Sequence, residues 1–219
     1  MGNEPQIYQG DCLTVLNDLK LSDVSLVWTD VPYSRDTTGI EFGAEYQAFM
    51  LDRLTAVAET MAEKAPLVLC CSPPQIFLFK TVLDQTGLTY KGLHAWCSRA
   101  SFYPSSVWNP SWEPLLLYGK GKLKMLVKEG GIPDVNYNDS SVFTRPRNKE
   151  HPGEKPLGLV KKYIIASTRP GDLILDPFMG TGTTLRAAKD LGRRAVGIET
   201  DSRHCGQAVS RLSQEVLGI

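Results

Sequence analysis

The 219-residue sequence has no long apolar run and no net charge. Its apolar stretches, such as 65–71 and 115–118, are far shorter than the roughly 20 residues that a membrane-spanning helix needs. The first residues contain no basic stretch followed by an apolar one, so we expect no secretory signal. Disorder is not favoured either, because 42% of the residues are hydrophobic and 22% are charged, as in globular proteins.

The five cysteines and three histidines show no spacing that is typical of metal ligands. The number of cysteines is odd, and no two of them are separated by two residues, which disfavours a disulfide framework or a zinc site. We therefore predict buried free thiols in a reducing compartment and no metal site.

The neutral total charge counts mildly against a nucleic-acid-binding protein, which is often basic. The distribution of charge counts the other way, because positive side chains are concentrated in the middle of the chain. They are Lys120, Lys122, Lys124, Lys128, Arg145, Arg147 and Lys149, followed by Lys155, Lys161 and Lys162. A neutral protein with this pattern can still carry a basic face.

Short apolar runs alternate with segments of helical periodicity. Strands are predicted at 24–28, 67–71, 90–97, 114–118, 173–175 and 195–198, and helices at 46–64, 76–83, 157–167, 184–191 and 202–216. This alternation predicts an α/β protein with a mostly parallel sheet that is covered on both faces. The stretches 98–114 and 119–154 are irregular, and long irregular segments in a compact domain often carry a function.

A glycine-rich turn follows the strand predicted at 173–175. The segment 172–184, D-L-I-L-D-P-F-M-G-T-G-T-T, combines a strand, Gly180 and Gly182 in a tight turn, and a helix start. Glycine allows close approach of a ligand, and a helix N-terminus favours an anionic group. About 20 residues later a second strand ends in Glu199, where nucleotide-binding α/β folds place an acid on the ribose hydroxyls. An ordinary turn between strand and helix is the alternative.

The strand that begins at Val24 ends in Asp30-Val31-Pro32-Tyr33. This segment combines a carboxylate at the carboxyl end of a strand, a stiffening proline and an aromatic ring. A nucleic-acid base extruded from its stack needs acceptors for its amino hydrogens and a flat surface for its ring. The segment is therefore a candidate base-binding site, and a plain turn with a chance tyrosine is the alternative.

Together these motifs resemble those of S-adenosylmethionine-dependent DNA amino-methyltransferases of the N6-adenine and N4-cytosine type. In that family a D/N/S-P-P-Y/F/W motif binds the target amine, and D-P-F-x-G-S/T-G-T binds the methyl donor. Residues 30–33 and 176–183 are similar to these motifs, in the permuted order called the β class. Residues 7–13, I-Y-Q-G-D-C-L, resemble the G-D-x-L element, and 151–157, H-P-G-E-K-P-L, resemble the H-P-x-x-K-P element. The run 96–120, which contains W-E-P-L-L-L-Y, is similar to the variable segment between the two halves.

The resemblance covers nearly the whole chain and implies a three-layer Rossmann-like methyltransferase fold. This fold has a mostly parallel sheet with an antiparallel edge hairpin and helices on both faces. The resemblance further implies one catalytic domain over 1–219, with a short target-recognition segment around 98–150. The methyl donor would be S-adenosyl-L-methionine, and the substrate double-stranded DNA with a flipped base. The protein would work in the cytoplasm of a prokaryotic cell or phage-infected host, and homodimers are frequent in this group.

The resemblance also assigns residues. The implied catalytic residues are Asp30, Val31, Pro32 and Tyr33, with Tyr33 stacked on the base and Trp28 or Trp108 as further stacking candidates. The implied cofactor-binding residues are Asp11 and Cys12 at the adenine, Glu199 at the ribose, and Lys155, Pro156, Asp176, Pro177, Phe178, Gly180, Thr181, Gly182 and Thr183 around the methionine part. The candidate DNA contacts are Arg35, Lys120, Lys122, Arg145, Arg147 and Lys149, and a solvated loop is the alternative.

One departure from the family pattern is Val31, which stands where the family has proline. Valine still offers the backbone carbonyl, so the expected loss is preorganisation of about 0.4–1 kcal/mol. Aspartate at the first position of this motif is usual in adenine-specific members of the family, so the resemblance favours N6 of adenine as the target of Asp30. Methylation of N4 of cytosine, of RNA or of a protein side-chain amide remains an alternative, as does a catalytically weak cofactor-binding module. A nicotinamide dehydrogenase is disfavoured, because the glycine spacing is not G-x-G-x-x-G.

Overall fold

The computed structural model describes residues 4–32, 39–97, 111–123, 126, 131–137 and 155–214, and within these ranges the chain forms eight strands and six α-helices. The strands are β1 Gln6–Gln9, β2 Val24–Asp30, β3 Pro66–Cys70, β4 Thr89–Cys97, β5 Trp112–Gly119, β6 Val135–Tyr137, β7 Leu173–Asp176 and β8 Arg194–Glu199. The helices are α1 Cys12–Leu19, α2 Ala44–Thr60, α3 Ile76–Leu83, α4 Leu157–Ser167, α5 Thr183–Asp190 and α6 Ser202–Ser213, and a 3₁₀ turn covers Pro73–Gln75.

The strands form one sheet in the order β1-β8-β7-β2-β3-β5-β4-β6. The first five strands of this order pair in parallel, β5 is antiparallel to both β3 and β4, and β6 is parallel to β4. The predicted mostly parallel sheet with an antiparallel hairpin on one side is therefore confirmed. The short strand β6 pairs with β4 on the outer side of this hairpin and is the last strand of the sheet in the described residues.

Both faces of the sheet are covered by helices, as predicted. Along β2, Leu26 and Trp28 belong to one core cluster and Val24 and Val27 to the other. The cluster with Val27 includes side chains of α1, α2 and α3, and the cluster with Trp28 includes side chains of α4, α5 and α6. Because β3 is buried at every position, its sequence is a continuous apolar run rather than an alternating pattern.

Three short elements were not predicted, namely β1, α1 and β6. β1 has four residues and β6 has three, and such short strands are defined by pairing with β8 and β4 rather than by their own pattern. Helix α2 also ends earlier than its periodicity suggests. Met61 is extended, and the next residue, Ala62, donates its N–H to the carbonyl of Val24 at 3.0 Å. Backbone pairing with the start of β2 therefore ends the helix.

Candidate active site

Five acidic side chains lie at the edge where the parallel strands end. Asp11 follows β1, and Asp30, Asp176 and Glu199 are the last residues of β2, β7 and β8. Glu113 joins them because β5 runs the opposite way, so that its first residues lie at this edge. Ligands of open α/β sheets bind outside the carboxyl ends of the strands. The sequence predicted the first four residues as site residues, and Glu113 was not assigned a role.

The turn after β2 is held by two hydrogen bonds. Val31 is 1% exposed and donates its N–H to the carbonyl of Cys70 at 3.2 Å. The hydroxyl of the buried Tyr46 donates to the carbonyl of Pro32 at 2.6 Å. A proline at position 31 would have no N–H for the first bond. The departure from the family motif is therefore offset by an added backbone hydrogen bond, which holds the chain next to Asp30.

Asp30 is paired with a buried lysine. The ammonium of Lys155 lies 2.5 Å from Oδ2 of Asp30 and 2.8 Å from Oε2 of Glu113. Burial raises the pKa of the Asp30 carboxyl to about 7, although the Lys155 ammonium lowers it. Burial lowers the pKa of Lys155, but the carboxylates of Asp30 and Glu113 raise it above its ordinary value overall. Lys155 is therefore protonated, and the pKa of Asp30 lies above that of an ordinary aspartate, so that Asp30 keeps its proton to a higher pH.

The glycine-rich turn forms the next part of the edge. Asp176 is 4% exposed and accepts the N–H of Phe178 at 3.3 Å. Burial raises the pKa of Asp176 to about 7, while hydrogen bonds from the Thr184 side chain and the Phe178 amide lower it. The N–H of Gly182 then donates to the carbonyl of Met179 at 2.9 Å, which closes the turn just before α5 begins.

The two glycines of this turn serve different purposes. Gly182 has φ +82°, and a Cβ atom there would lie 2.8 Å from Cβ of Ala208 on α6. Gly180 has φ +53°, and a Cβ atom there would meet nothing within 4 Å. Gly182 therefore allows α5 to pack on α6, whereas Gly180 borders open space at the sheet edge. The sequence predicts the methionine part of the methyl donor at this open space, which lies beside a helix N-terminus.

Glu199 is fixed by three donors. Its Oε2 accepts the N–H of Gly180 at 3.0 Å, and its Oε1 accepts the N–H of Asp201 at 2.8 Å and the hydroxyl of Thr200 at 3.2 Å. Its side chain is 13% exposed. The carboxylate is thus held in one orientation at the end of β8, where a ribose hydroxyl can still donate to it.

Asp11 caps helix α1 and carries an ion pair. Its Oδ1 accepts the N–H groups of Leu13 and Thr14, as an N-cap residue does. Its Oδ2 accepts Nε and Nη2 of Arg53 at 2.9 and 2.7 Å, and the Arg53 guanidinium lies 3.4 Å from the ring centroid of Phe49. Sequence reasoning missed Arg53, because it lies on α2, 42 residues from Asp11, and belongs to none of the motifs.

The remaining residues predicted to bind the donor lie along the same edge. Pro156 caps the start of α4, Cys12 begins α1, and Pro177 and Thr181 are buried in the glycine-rich turn. The Thr183 hydroxyl accepts a hydrogen bond from Nη1 of Arg211 at 2.6 Å. The structure thus brings the predicted cofactor-binding residues together, with Lys155 on the carboxylate of Asp30.

Two predicted DNA contacts, Lys120 and Lys122, are not brought to this edge. Gly119 pairs with Pro66, the first residue of β3, and Lys120 donates to the carbonyl of Met61 at 2.8 Å. Both lysines therefore follow β5 at the opposite edge of the sheet. Trp28 is 1% exposed and packs on Tyr163 with ring centroids 4.9 Å apart, so its ring cannot stack on a base. Tyr33, Arg35, Trp108, Arg145, Arg147 and Lys149 lie outside the described residues.

Among the residues with described positions, no group of three or more His, Cys, Asp or Glu side chains could hold a metal ion. In that part of the chain no helix is long and apolar enough to cross a membrane. Four of the five cysteines are buried, as predicted, and Cys97 is half-buried.

The comparisons with known proteins agree with this arrangement. The chain is 26% identical to the DNA adenine methyltransferase YhdJ of Escherichia coli, over 96% of this chain and 84% of that protein. It is 23% identical to the Type II methyltransferase M.HpaI of Haemophilus parainfluenzae, over 95% of this chain and 74% of that protein. The M1.HpyAVI–SAM complex superposes with a TM-score of 0.70 and 26% identity, over 95% of this chain and 99% of that one, which confirms the predicted Rossmann-like methyltransferase fold.

The model of the DNA methylase family with N6-adenine and N4-cytosine specificities matches residues 24–210, which include Asp30, Lys155, the glycine-rich turn and Glu199. This range is most of the chain. The protein therefore belongs to this family of DNA amino-methyltransferases, which use S-adenosylmethionine as the methyl donor.

Proposed function

We propose that this protein transfers the methyl group of S-adenosylmethionine to N6 of adenine in double-stranded DNA, with the target base flipped out of the helix. The observation that carries the proposal is Asp30. Its carboxylate lies at the sheet edge, is 25% exposed and is held from behind by Lys155. A base that reaches the sheet edge can therefore contact this carboxylate.

Asp30 and the neighbouring backbone would act on the amine by orientation. The carboxylate and the Val31 carbonyl accept the two amino hydrogens, which frees the nitrogen lone pair for in-line attack on the methyl carbon. The negative charge of Asp30 also supports the positive charge that develops on nitrogen. The hydrogen bonds of Val31 and Pro32 keep this turn in place.

The methyl donor supplies an electrophilic methyl group on a positively charged sulfur. The residues that would hold it are the glycine-rich turn around Gly180 at the methionine part, Glu199 at the ribose, and Asp11 with Arg53 at the adenine. The carboxylates of Glu199 and Asp11 are already oriented by hydrogen bonds from protein groups. These side chains therefore need little further ordering when S-adenosylmethionine binds.

Adenine is favoured over cytosine by Asp30, since aspartate at this position is the habit of adenine-specific members. The similar protein YhdJ is a DNA adenine methyltransferase, which supports the same choice. The whole chain would form one catalytic domain, and residues 98–150 would include the segment that recognises the DNA target.

The test is to incubate the protein with unmethylated duplex DNA and a donor that carries a labelled methyl group, and then to identify the labelled nucleoside. Wild-type protein should give N6-methyladenine. Asp30→Asn keeps the shape and removes the charge, and should lower the rate by at least about 100-fold. Asp52→Asn, the same change on the exposed side of α2, is the matched control and should leave the rate unaltered.

Two results would contradict the proposal. Label in cytosine alone would refute the adenine assignment and keep the amino-methyltransferase chemistry. Donor binding without label in any DNA would direct the search to RNA or to protein amides first, and then to a cofactor-binding module without activity.

A further inference from the structure

The chain that leaves β3 forms a short capped turn at the same sheet edge as Asp30. Residues 72–75 read S-P-P-Q, and Pro73–Gln75 form the 3₁₀ turn. In the order of the strands, β3 lies between β2, which ends in Asp30, and β5, which starts at this edge. Ser72 therefore leaves the sheet between the turn with Asp30 and the first residues of β5.

The side chain of Gln75 turns back to the end of β3. Its carboxamide oxygen accepts the backbone N–H of Ser72 at 3.2 Å and the Ser72 hydroxyl at 2.7 Å, as in a capping box. The carboxamide nitrogen is bonded to the same carbon as this oxygen, so it also lies beside Ser72. Two residues earlier, the carbonyl of Cys70 accepts the N–H of Val31 at 3.2 Å. The amide nitrogen is thus held near the turn that would bind the target amine.

Among the described residues, the amide nitrogen of Gln75 has no hydrogen-bond acceptor, although Gln75 is only 6% exposed. Buried polar groups of native proteins are nearly always paired, and an unpaired one requires an explanation such as a role in catalysis. The cap does not explain it, because a glutamate, which has no amide nitrogen, serves a capping box as well as a glutamine does. The cap therefore uses the oxygen of Gln75, and the buried nitrogen indicates a ligand with an acceptor.

A flipped base carries such an acceptor directly beside its amine. Under the proposed function, Asp30 and the Val31 carbonyl accept the amino hydrogens. In adenine the neighbouring ring nitrogen N1 is an acceptor, and N3 has the same place in cytosine. In guanine and thymine the corresponding nitrogen of the Watson–Crick edge carries a hydrogen and cannot accept. Enzymes that flip a base read it by hydrogen bonds to this edge, and glutamine is one of the side chains that bind adenine.

We propose that Gln75 is a base-binding residue, whose carboxamide nitrogen donates a hydrogen bond to the ring nitrogen beside the target amine, N1 of adenine. This inference rests on the proposed function and adds a residue that selects the base. Asp30 accepts from the amine while Gln75 donates to the ring, so the base is fixed at two neighbouring atoms. A base with an N–H at the second atom leaves the buried amide unpaired and is rejected.

The test compares adenine with 1-deazaadenine, in which C–H replaces N1 and the amine is kept. Each base is placed in a duplex oligonucleotide at a site that the wild-type protein methylates, and single-turnover rates are measured under saturating donor. The wild-type protein should prefer adenine. In Gln75→Met this preference should be smaller by about 10-fold, as expected for the loss of one hydrogen bond between neutral groups. Because each preference is a ratio within one variant, a general loss of activity cancels.

The controls separate this contact from a structural role of the cap. Gln85→Met, the same change at an exposed position after α3, should keep the wild-type preference. The analogue 7-deazaadenine lacks N7 and keeps N1, so its rate relative to adenine should be the same in the wild type and in Gln75→Met. Gln75→Glu keeps the oxygen that the cap uses, and its carboxylate cannot donate. It should lose the preference for adenine as well, and it replaces Gln75→Met if that variant does not fold.

An equal preference for adenine over 1-deazaadenine in the wild type and in Gln75→Met would overturn the proposal. A change of preference that occurs with 7-deazaadenine instead would overturn it too. If the label of the first experiment is in cytosine, 3-deazacytosine takes the place of 1-deazaadenine in the same comparison. Failure of the proposed function would look different, because the wild-type protein would then methylate no nucleic acid before any variant is compared, and the inference would fall with it.

Discussion

At the scale of the residue, two aspartates at the sheet edge, the partly exposed Asp30 and the buried Asp176, have a raised pKa for the same reason. Burial raises the pKa of Asp30 and of Asp176 to about 7. Their neighbours differ. Asp30 faces an ammonium, whereas Asp176 is held by an amide and a hydroxyl. The first residue would therefore set the pH dependence of the reaction, and the second would set a pH dependence of stability.

The single-turnover rate of methyl transfer should fall as the pH decreases through about 7. The protonated carboxyl of Asp30 is a poorer acceptor and no longer supports a positive charge on nitrogen, so only the ionised form is active. A rate profile from pH 5.5 to 9 under saturating donor measures this directly. A rate that is flat down to pH 5.5 would show that the charge of Asp30 is not required.

Asp176→Asn should stabilise the protein at pH 8. In the unfolded chain the carboxyl ionises near a pKa of about 3.9, so a folded value of about 7 means that the fold loses stability as the pH rises from about 4 to about 7. We expect a gain on the order of 1 kcal/mol, or about 2–4 °C in the melting temperature, at pH 8. Near pH 5, early in that window, the gain should be clearly smaller, and an equal gain at both pH values would contradict the explanation.

At the scale of the element, the loops after β1, β7 and β8 are each built around a carboxylate that accepts backbone N–H groups. Asp11 accepts from the first turn of α1, Asp176 from Phe178, and Glu199 from Gly180 and Asp201. The strand ends, the turns and the helix starts are thereby tied to one another. Changes in these loops can thus affect the fold and the donor site separately.

The two glycines of the turn before α5 should separate these effects. Gly182→Ala should cost about 2–4 kcal/mol of unfolding free energy, since the new methyl group meets Ala208 and the backbone is left-handed. Gly180→Ala should cost only about 1–2 kcal/mol, from its left-handed backbone alone. It should instead weaken donor binding, because its methyl group enters the open space. Thermal unfolding and calorimetry on both variants give the comparison, and equal effects would contradict it.

Arg53→Met should weaken binding of S-adenosylmethionine by about 10-fold. This is the effect expected when the donor site loses about one charged hydrogen bond. The variant keeps the N-cap hydrogen bonds to Oδ1 of Asp11. It loses the two hydrogen bonds from Arg53 that orient Oδ2. Lys80→Met, which removes the ion pair with Asp84 on α3, is the matched control. Calorimetry measures the affinity of both variants for S-adenosylmethionine. An unchanged affinity in Arg53→Met would show that Arg53 does not contribute to the donor site.

At the scale of the whole molecule, the direction of each strand decides what lies at the catalytic edge. The parallel strands deliver Asp30, Asp176 and Glu199 to one edge, and the antiparallel β5 brings Glu113 there. The same reversal carries Lys120 to the other edge, next to Met61. Glu113 and Lys120 are close in sequence but therefore lie at opposite edges of the sheet.

Because Lys120 and Lys122 follow β5 at the opposite edge, we expect them to differ from Arg145 and Arg147 in their effect on DNA binding. Arg145→Gln combined with Arg147→Gln should weaken binding and reduce the slope of log affinity against log salt by about 2, since each phosphate contact contributes about 1. Lys120→Gln combined with Lys122→Gln should change neither quantity. Fluorescence anisotropy from 50 to 200 mM salt measures both. An equal effect of the two pairs would show that the DNA also covers the opposite edge.

Much of this protein could be predicted from local patterns. The buried strands β3 and β7 are short apolar runs, the glycine turn contains its own φ requirements, and the motifs around Asp30 and Asp176 indicate amine and donor sites. These features depend on residues that are close together in sequence. Hydrophobic periodicity and turn chemistry are local, so the sequence by itself determined the α/β class, the order of the motifs and the identity of the main carboxylates.

Only the tertiary structure decided which distant side chains meet. The pairing of Lys155 with Asp30 and Glu113, the contact of Arg53 with Asp11, and the position of Lys120 away from the site all follow from strand order and strand direction. No local pattern contains that information, because ion pairs and raised pKa values arise from burial between elements. The sequence thus names the reacting groups, whereas the packed sheet sets their charges and their neighbours.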